Sequence, residues 1–550
     1  MNRRWTNLQV FGGMPALVMA LASVAWTASA YGDDKGQPEL DKATELQLNA
    51  ESLNDLEKVV DLAEQALSKG LSEENQKFAK QLISSTLYDH ARRIAEVVLE
   101  QQPPNPRWPV LRGVAVKDLD KALLHDADNA EVHLLRAKLL ALPGGDRKEG
   151  LRSASAAIKL LKDEKDLLSE AYVVRAAVTE DVEQRLKDLD AAIDADSGNA
   201  DAWQARAMHY LSIDENEKAV ADLKKLVETK GDNVMARLAL AEALTNVKEF
   251  DEALKQVNAA IAKQPDVPLA YLLKARVQLF QEKIDDALAS LGKAIEIEPR
   301  DVNALLMRAQ LLIEKEKADA ARNDLDRVLQ LQPGLPQALL LRSAVFVEQK
   351  KYRESIGDLR ELLKKDPDNE AIRLQAAQVY VAGGWPRHAI RMLSKIIEED
   401  GENWMALRAR GDAYLNIGKH AEAIADFTKA YELQPENSGL LNNFAWVLAT
   451  TPDENLRDAE RSIKLSTKAC ELTDYKQSHI LSTLASGFAE KGDFETAIKW
   501  STKAVELGEG ETKDALKKEL ESYEQKKPWR EKQEAEEKPS PPPLDESLEL

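Results

Sequence analysis

Residues 410–435 read RGDAYLNIGKHAEAIADFTKAYELQP, and this stretch is one complete copy of a pattern that recurs through the chain. Gly411, Ala423 and Phe427 mark three of its positions, and Pro435 closes it. Proline lacks a backbone donor and its ring clashes with the preceding turn, so it ends a helix rather than continuing it. The stretch therefore predicts a pair of antiparallel helices followed by a break.

The same positions recur at one fixed interval along the chain. The closing position holds Pro265, Pro299, Pro333, Pro367, Gly401 and Pro435. A first small residue recurs at Ala207, Ala241, Ala275, Ala309, Ser343, Ala377 and Gly411. A second small residue recurs at Ala219, Ala253, Ala287, Ala321, Ser355, Ala389 and Ala423, and an apolar one at Leu223, Val257, Leu291, Leu325, Leu359, Leu393 and Phe427. The interval is 34 residues, as from Pro265 to Pro299, and a fixed period of this length predicts stacked helical hairpins.

The residue types have a physical explanation. Small side chains let two helix backbones approach closely, and the larger apolar groups fill the remaining space to native packing density. One hairpin cannot bury its apolar face alone, so neighbouring hairpins must stack and bury it together.

These residues resemble the tetratricopeptide repeat (TPR) family, with its small–aromatic–alanine–aromatic–alanine–proline pattern, and in particular its secreted bacterial members. The resemblance covers most of the chain and repeats in one frame. It implies an all-α fold, a TPR α-solenoid in which antiparallel helix pairs form a right-handed superhelix.

The frame and the composition together predict seven segments along the chain. They are a signal peptide (1–30), a divergent N-terminal helical cap (38–105), irregular TPR-like repeats (106–196), regular TPR repeats of constant length (197–437), C-terminal repeats with a loop insertion (438–508), a capping helix (509–527) and a disordered acidic, proline-rich tail (528–550).

Residues 1–30 have the three-part layout of a secretory signal peptide. Arg3 and Arg4 supply the positive start, residues 10–26 are mostly apolar, and Ala28-Ser29-Ala30 offers an A-x-A cleavage site. We therefore expect a periplasmic or secreted protein, the alternative being an uncleaved N-terminal membrane anchor. No later segment approaches the roughly 20 apolar residues of a membrane span, so none is expected after cleavage.

Arginine and aspartate recur together at one constant separation. The pairs are Arg206 with Asp222, Arg308 with Asp324, Arg342 with Asp358, and Arg410 with Asp426. The three regular repeats without this arginine also lack the aspartate. We interpret each pair as a structural salt bridge from the first helix of a repeat to the second, with a ligand-binding role as the alternative.

The chain contains no recognisable catalytic, cofactor or metal motif. It has no HExxH, no zinc spacing, no Walker loop and no GxGxxG. Its 95 acidic and 75 basic residues are interspersed, which is typical of a solvated surface. The net charge of −20 argues against a nucleic-acid partner. We expect no enzyme activity, no cofactor and no metal.

The resemblance implies that the second, fifth, ninth, twelfth and thirteenth positions of each repeat line a concave groove. The corresponding apolar residues are Leu272, Leu279, Phe280, Leu306, Ile313, Leu340, Val347, Leu374 and Val381. Such a stripe predicts a groove for an extended or helical peptide with apolar anchors. The alternative is that much of the stripe packs between repeats.

These observations favour a non-catalytic scaffold of the bacterial cell envelope that binds a protein or peptide partner in the groove. The alternative is an accessory or regulatory subunit for the handling of envelope polysaccharide. Only Phe280 and Trp446 place aromatic rings at the expected groove positions, and this scarcity favours a protein ligand over a sugar.

Overall fold

The computed structural model describes residues 34–100, 106–229 and 233–531. This part contains 27 α-helices and one short 3-10 helix, and it falls into two compact units that divide between residues 263 and 264. Consecutive helices pack as antiparallel pairs within each unit, so the predicted all-α, TPR-like fold is confirmed. The predicted signal peptide and residues 532–550 of the predicted tail lie outside the described residues.

Twelve helices belong to the described part of the first unit. They are α1 (Gln37–Leu48), α2 (Leu53–Lys69), α3 (Glu73–Glu100), α4 (Trp108–His125), α5 (Ala130–Ala141), α6 (Arg147–Leu160), α7 (Lys165–Val178), α8 (Val182–Ala195), α9 (Ala200–Ser212), α10 (Asn216–Thr229), α11 (Val234–Asn246) and α12 (Phe250–Lys263).

Fifteen helices belong to the described part of the second unit. They are α13 (Pro268–Phe280), α14 (Ile284–Ile297), α15 (Val302–Glu314), α16 (Ala318–Leu331), α17 (Pro336–Glu348), α18 (Tyr352–Lys365), α19 (Glu370–Gly383), α20 (Pro386–Glu399), α21 (Trp404–Asn416), α22 (His420–Leu433), α23 (Ser438–Thr450), α24 (Ala459–Leu472), α25 (Ser478–Lys491), α26 (Phe494–Leu507) and α27 (Gly510–Glu524). None of the described helices in either unit is long and apolar enough to cross a membrane.

The start of the first helix in each regular repeat is fixed by one of two devices. An Asn or Asp side chain at the N-cap accepts a backbone N–H in most repeats, which satisfies an otherwise unpaired donor. The caps of this type are Asn199, Asn233, Asp301, Asn369, Asn403 and Asn437. Where the frame has Val267 or Leu335 instead, the next residue is Pro268 or Pro336, whose fixed φ suits the first turn.

The end of the first helix recurs at the same interval as the rest of the pattern. Asp214, Lys248, Glu282, Glu316, Lys350, Gly384 and Gly418 all have φ between 56° and 86°. After α15, for example, the amide of Lys317 donates to the carbonyl of Leu312 at 2.8 Å, and that of Glu316 donates to Ile313 at 2.9 Å. These bonds close a Schellman turn, which reverses the chain into the second helix.

The small residues of the pattern are buried where the two helices of a repeat cross. At Gly411 the two helices approach so closely that an added Cβ would lie 2.6 Å from the ring of Phe427. Other repeats place Leu or Val at the position of Phe427 and Ala or Ser at that of Gly411. The large side chain of Phe427 therefore requires glycine at position 411.

The four predicted arginine–aspartate pairs come together in the structure. Each guanidinium donates two hydrogen bonds to its aspartate, at distances between 2.6 and 2.9 Å. The four aspartates are buried, and hydrogen bonding to them raises the pKa of each arginine, so the guanidinium remains charged.

Three of these arginines also reach the second helix of the preceding repeat. Nη1 of Arg206 donates to Asp190 at 2.8 Å, and Nη1 of Arg342 donates to Asp326 at 2.6 Å. Arg410 makes the equivalent contact with the hydroxyl of Ser394 at 2.9 Å. Each side chain therefore joins three helices, and this second contact was not anticipated from the spacing.

The last described helix, α27, packs the side chains of Leu516 and Tyr523 into the core. Its Glu519 is also buried and accepts a hydrogen bond from the hydroxyl of Ser482. Burial raises the pKa of Glu519 to about 7, which means that this carboxyl group is partly protonated at neutral pH.

The contact between Gly411 and Phe427 predicts coupled packing. Gly411→Ala should destabilise the fold by about 1–3 kcal/mol through the clash with Phe427, although the same change in an open helix stabilises. Phe427→Leu alone should cost about 1 kcal/mol through the cavity that it leaves. The double variant recreates the Ala309 and Leu325 combination and should lose less than the two single variants together. A urea-denaturation cycle measures this coupling, and additive losses would contradict it.

The three-helix contact of Arg342 predicts a large effect of its removal. Arg342→Ala leaves the buried carboxylate of Asp358 without its guanidinium, so it should cost about 3–5 kcal/mol. The matched control is Lys364→Ala, because its pair with Glu361 is half exposed and should contribute less than about 1 kcal/mol. Hydrogen exchange of α17 and α18 measures the local effect. Equal protection in the two variants would show that the arginine contributes nothing.

Candidate functional site

The nine predicted groove residues differ in how much surface they leave to a ligand. Phe280 is 59% exposed, whereas Leu306 is only 7% exposed and packs in the core. The other seven are half-buried: Leu272, Leu279, Ile313, Leu340, Val347, Leu374 and Val381. Leu306 is therefore an internal packing residue, and the half-buried residues both pack between helices and present an edge.

Among the described helices of the second unit, two exposed apolar residues that were not predicted occupy the second position of a first helix. Leu269 in α13 is 47% exposed, and Met405 in α21 is 48% exposed. The repeat frame contains the signal that could have found them, since it relates both residues to the groove positions already considered.

The structure gathers two of the nine predicted residues, Leu374 and Val381, into one pocket of roughly 710 Å³. The walls come from α19 and α21, the first helices of consecutive repeats, which contact each other directly. The remaining lining residues are Ala371, Gln375, Ala377, Gln378, Ala382, Leu393, Trp404, Met405, Arg408, Ala409 and Asp412. The other seven predicted residues do not line this pocket.

Local sequence explains how the two walls are placed. Asn369 and Asn403 cap the starts of α19 and α21, and the side-chain amide of Asn403 also donates to Glu370 of the preceding first helix. Leu393 of the intervening helix α20 is fully buried and contributes to the lining. The two first helices are thereby held side by side, with small residues such as Ala409 leaving space between them.

The polar side of the pocket is formed around Arg408. Its Nε lies 3.9 Å from the carboxylate of Asp412, and its side chain is 35% exposed. Asp412 in turn accepts a hydrogen bond from Asn443 at 2.7 Å, and burial raises its pKa. Gly439 leaves room for the guanidinium, since a Cβ there would lie 2.9 Å from Nη2 of Arg408.

This arrangement suits the binding of a peptide side chain. An apolar floor with a few polar groups at its edge is the usual composition of a ligand pocket. Arg408 offers planar N–H donors for a carboxylate, and Gln375 and Gln378 offer amides for a peptide backbone. Among the residues that the structure describes, no group of His, Cys, Asp and Glu is placed to hold a metal ion.

A smaller pocket of about 250 Å³ lies in the first unit, between α3 and α5. Tyr88, Glu96 and Glu131 contribute polar atoms to its lining, and Leu99 contributes an exposed apolar side chain. Burial raises the pKa of Tyr88, with a smaller contribution from the charge of Glu131. Because this cavity is much smaller than the pocket between α19 and α21, the second unit holds the stronger candidate.

Stacked helical hairpins with an apolar pocket between first helices define a helical-repeat binding protein. Two family models described as tetratricopeptide repeat match the sequence, one over residues 272–336, 306–370 and 374–438, and the other over residues 214–277. Residues 214–370 and 374–438 therefore match tetratricopeptide repeats. Such repeats form protein–protein interaction scaffolds that bind peptide or protein partners and are typically non-catalytic.

Three solved structures illustrate the range of matches. Yeast Tom70 is 15% identical with a TM-score of 0.36, and the match covers 80% of this chain and 95% of the Tom70 chain. A tetratricopeptide repeat protein from Parabacteroides merdae is 19% identical with a TM-score of 0.35, covering 53% of this chain and 98% of its own. YrrB, which has an unusual peptide-binding site, is 19% identical with a TM-score of 0.30, covering 34% of this chain and 97% of its own. No curated protein matches the chain.

Proposed function

We propose that this protein is a non-catalytic scaffold that holds a partner through the pocket between α19 and α21. The partner inserts an apolar side chain against Trp404 and Met405 and places an acidic group on Arg408. The observation that carries the proposal is the combination of pocket volume, exposed apolar lining and an accessible guanidinium. These features match the mode in which an extended peptide supplies apolar anchors to a preformed groove.

Met405 offers apolar surface for a ligand to cover. Its side chain is 48% exposed in the protein alone. A ligand that covers it removes apolar surface from water, which stabilises the complex by about 25 cal/mol for each Å² buried. The neighbouring wall of α19 is already in place, so a ligand meets a preorganised surface and loses little free energy in ordering it.

We propose the bacterial cell envelope as the place of action. The positive start, apolar stretch and A-x-A site within residues 1–30 support this location. The partner is then an envelope protein that exposes a segment with an apolar residue next to an acidic one.

A second candidate is an accessory or regulatory role in the handling of envelope polysaccharide. Trp404 favours it, because an indole face in a pocket with amides from Gln375 and Gln378 is also suited to a sugar ring. Protection of the α19 and α21 amides by oligosaccharide, but not by peptide, would support this candidate in hydrogen exchange.

The chemistry of the pocket predicts which peptides it selects. A displayed library of random peptides, selected on the full chain, should yield sequences with an apolar residue beside an acidic one. Met405→Glu should weaken these peptides by about tenfold or more, because the introduced charge enters an apolar contact. Arg408→Ala should weaken only the acidic peptides.

The control variant is Leu472→Glu, which places the same charge at a residue of similar exposure, 45%, at the end of α24 and outside the pocket. It should leave the affinity within about twofold of the wild type. Peptides that bind Met405→Glu and wild-type protein equally would show that the pocket is not the site.

The proposed location predicts a processed chain. Expressed from its full sequence in a bacterium, the protein should be recovered from the periplasm or the medium with a mass that corresponds to a start at Tyr31. Ala30→Arg should block processing, because the cleavage site requires a small residue. Intact-mass spectrometry of fractionated cells measures both outcomes. An unprocessed wild-type chain in the cytoplasmic fraction would contradict the proposed location.

A further inference from the structure

The segment that follows α27 turns back onto the protein. Lys526 adopts φ 57°, and the amide of Lys527 donates to the carbonyl of Ser522 at 2.9 Å, which ends the helix in a tight turn. Residues 528–531 then continue without regular secondary structure. They reach α23, the first helix of a repeat that lies well before them in the sequence.

Glu531 is bound to α23 by both its backbone and its side chain. Its amide donates to the carbonyl of Thr450 at 2.8 Å, at the open C-terminal end of the helix. Its carboxylate accepts a hydrogen bond from the indole Nε1 of Trp446. Trp446 is one of the two aromatic residues that the repeat frame assigns to the groove.

The two preceding residues add complementary contacts. Arg530 donates to the carbonyl of Ala449 at 3.2 Å and pairs with the carboxylate of Glu490 at 2.6 Å. Trp529 packs against the cluster that contains Ala485 and Ala489 of α25. An aromatic ring, a guanidinium and a carboxylate in consecutive positions thus each meet a matching partner.

This mode of contact is that of a ligand rather than of a core element. The segment has no regular secondary structure, and the side chains of residues 529–531 are half-buried rather than buried. Its polar contacts reach the carbonyls of Ala449 and Thr450 at the end of α23, and Trp529 contributes an apolar contact. A segment held in this way can leave without unfolding the helices beneath it.

We propose that the face of α23 and α25 beneath residues 528–531, formed by Trp446, Ala449, Thr450, Ala485, Ala489 and Glu490, is a second peptide-binding surface that the chain's own segment occupies. The partner that replaces this segment is an extended peptide with the same order of chemistry: an aromatic residue, a basic residue and an acidic residue. This surface and its ligand differ from the pocket between α19 and α21, so the inference does not depend on the proposed function.

The covalent link between α27 and residues 528–531 determines how well a free peptide competes for the surface. A short linker holds residues 528–531 at an effective concentration on the order of millimolar, so a free peptide of equal affinity displaces them only near that concentration. A partner succeeds by making additional contacts elsewhere on the protein. Weakening the internal segment removes this competition and exposes the affinity of the surface itself.

The test uses the full chain and a fluorescent peptide, KKPWREKQE, which copies residues 526–534. In the variant Trp529→Ala/Glu531→Ala, the peptide should bind at least about tenfold more tightly than to the wild type. Adding Trp446→Ala to this variant should remove the gain. The control peptide KKPRWEKQE, in which the aromatic and basic residues exchange places, should bind weakly to every variant.

A gain that is absent, or that the control peptide shares, would overturn the proposal. Hydrogen exchange of wild-type protein guards against a variant that fails to fold. At millimolar peptide, the Glu531 amide should lose protection while α25 keeps its own, and unchanged protection of Glu531 at saturating peptide would also overturn it. Met405→Glu should leave binding of this peptide unchanged, which separates its outcome from that of the proposed function.

Discussion

The close approach of two helices at one small residue per repeat is the constraint on which the rest of this structure depends. Where Gly411 meets Phe427, no side-chain atom can be added without displacing a ring. In another repeat the same two buried positions hold Ala309 and Leu325, so a slightly larger first residue accompanies a smaller second one. Because each hairpin has this fixed spacing, the next one can stack on it in the same way, and a long chain buries an apolar core without enclosing a single large one.

The arginine contacts restrain the relative orientation of the packed helices. A hydrophobic crossing alone tolerates some sliding, whereas a bidentate guanidinium–carboxylate pair fixes the two groups in a plane. In Arg342 the third contact, to Asp326, extends this restraint to the preceding repeat. Repeats without the arginine show that the fold does not require it everywhere. We interpret the contacts as fixing the geometry of neighbouring hairpins more than their stability.

Rigid hairpins give their first helices a fixed surface on which binding residues can vary. The pocket at Trp404 and Met405 and the surface at Trp446 both lie on first helices, yet they present different chemistry: a cation beside an apolar floor in one, and an indole donor with Glu490 in the other. The pocket is open in the protein alone, whereas residues 528–531 cover the second surface. The packing residues that recur in each repeat thus determine the fold, and the surface residues that vary between repeats determine what each site can bind.

The sequence alone determined the repeat, its helical hairpins and the pairing of each arginine with the aspartate of the same repeat, because these contacts are local and recur in one frame. Only the tertiary structure decided which apolar residues are accessible: Leu306 is buried and Met405 is exposed, although both stand at positions of the same predicted groove. It also decided that Glu531 meets Trp446, far from it in the sequence. Such contacts depend on how successive hairpins stack, and a single irregular contact leaves no periodic trace from which it could be predicted.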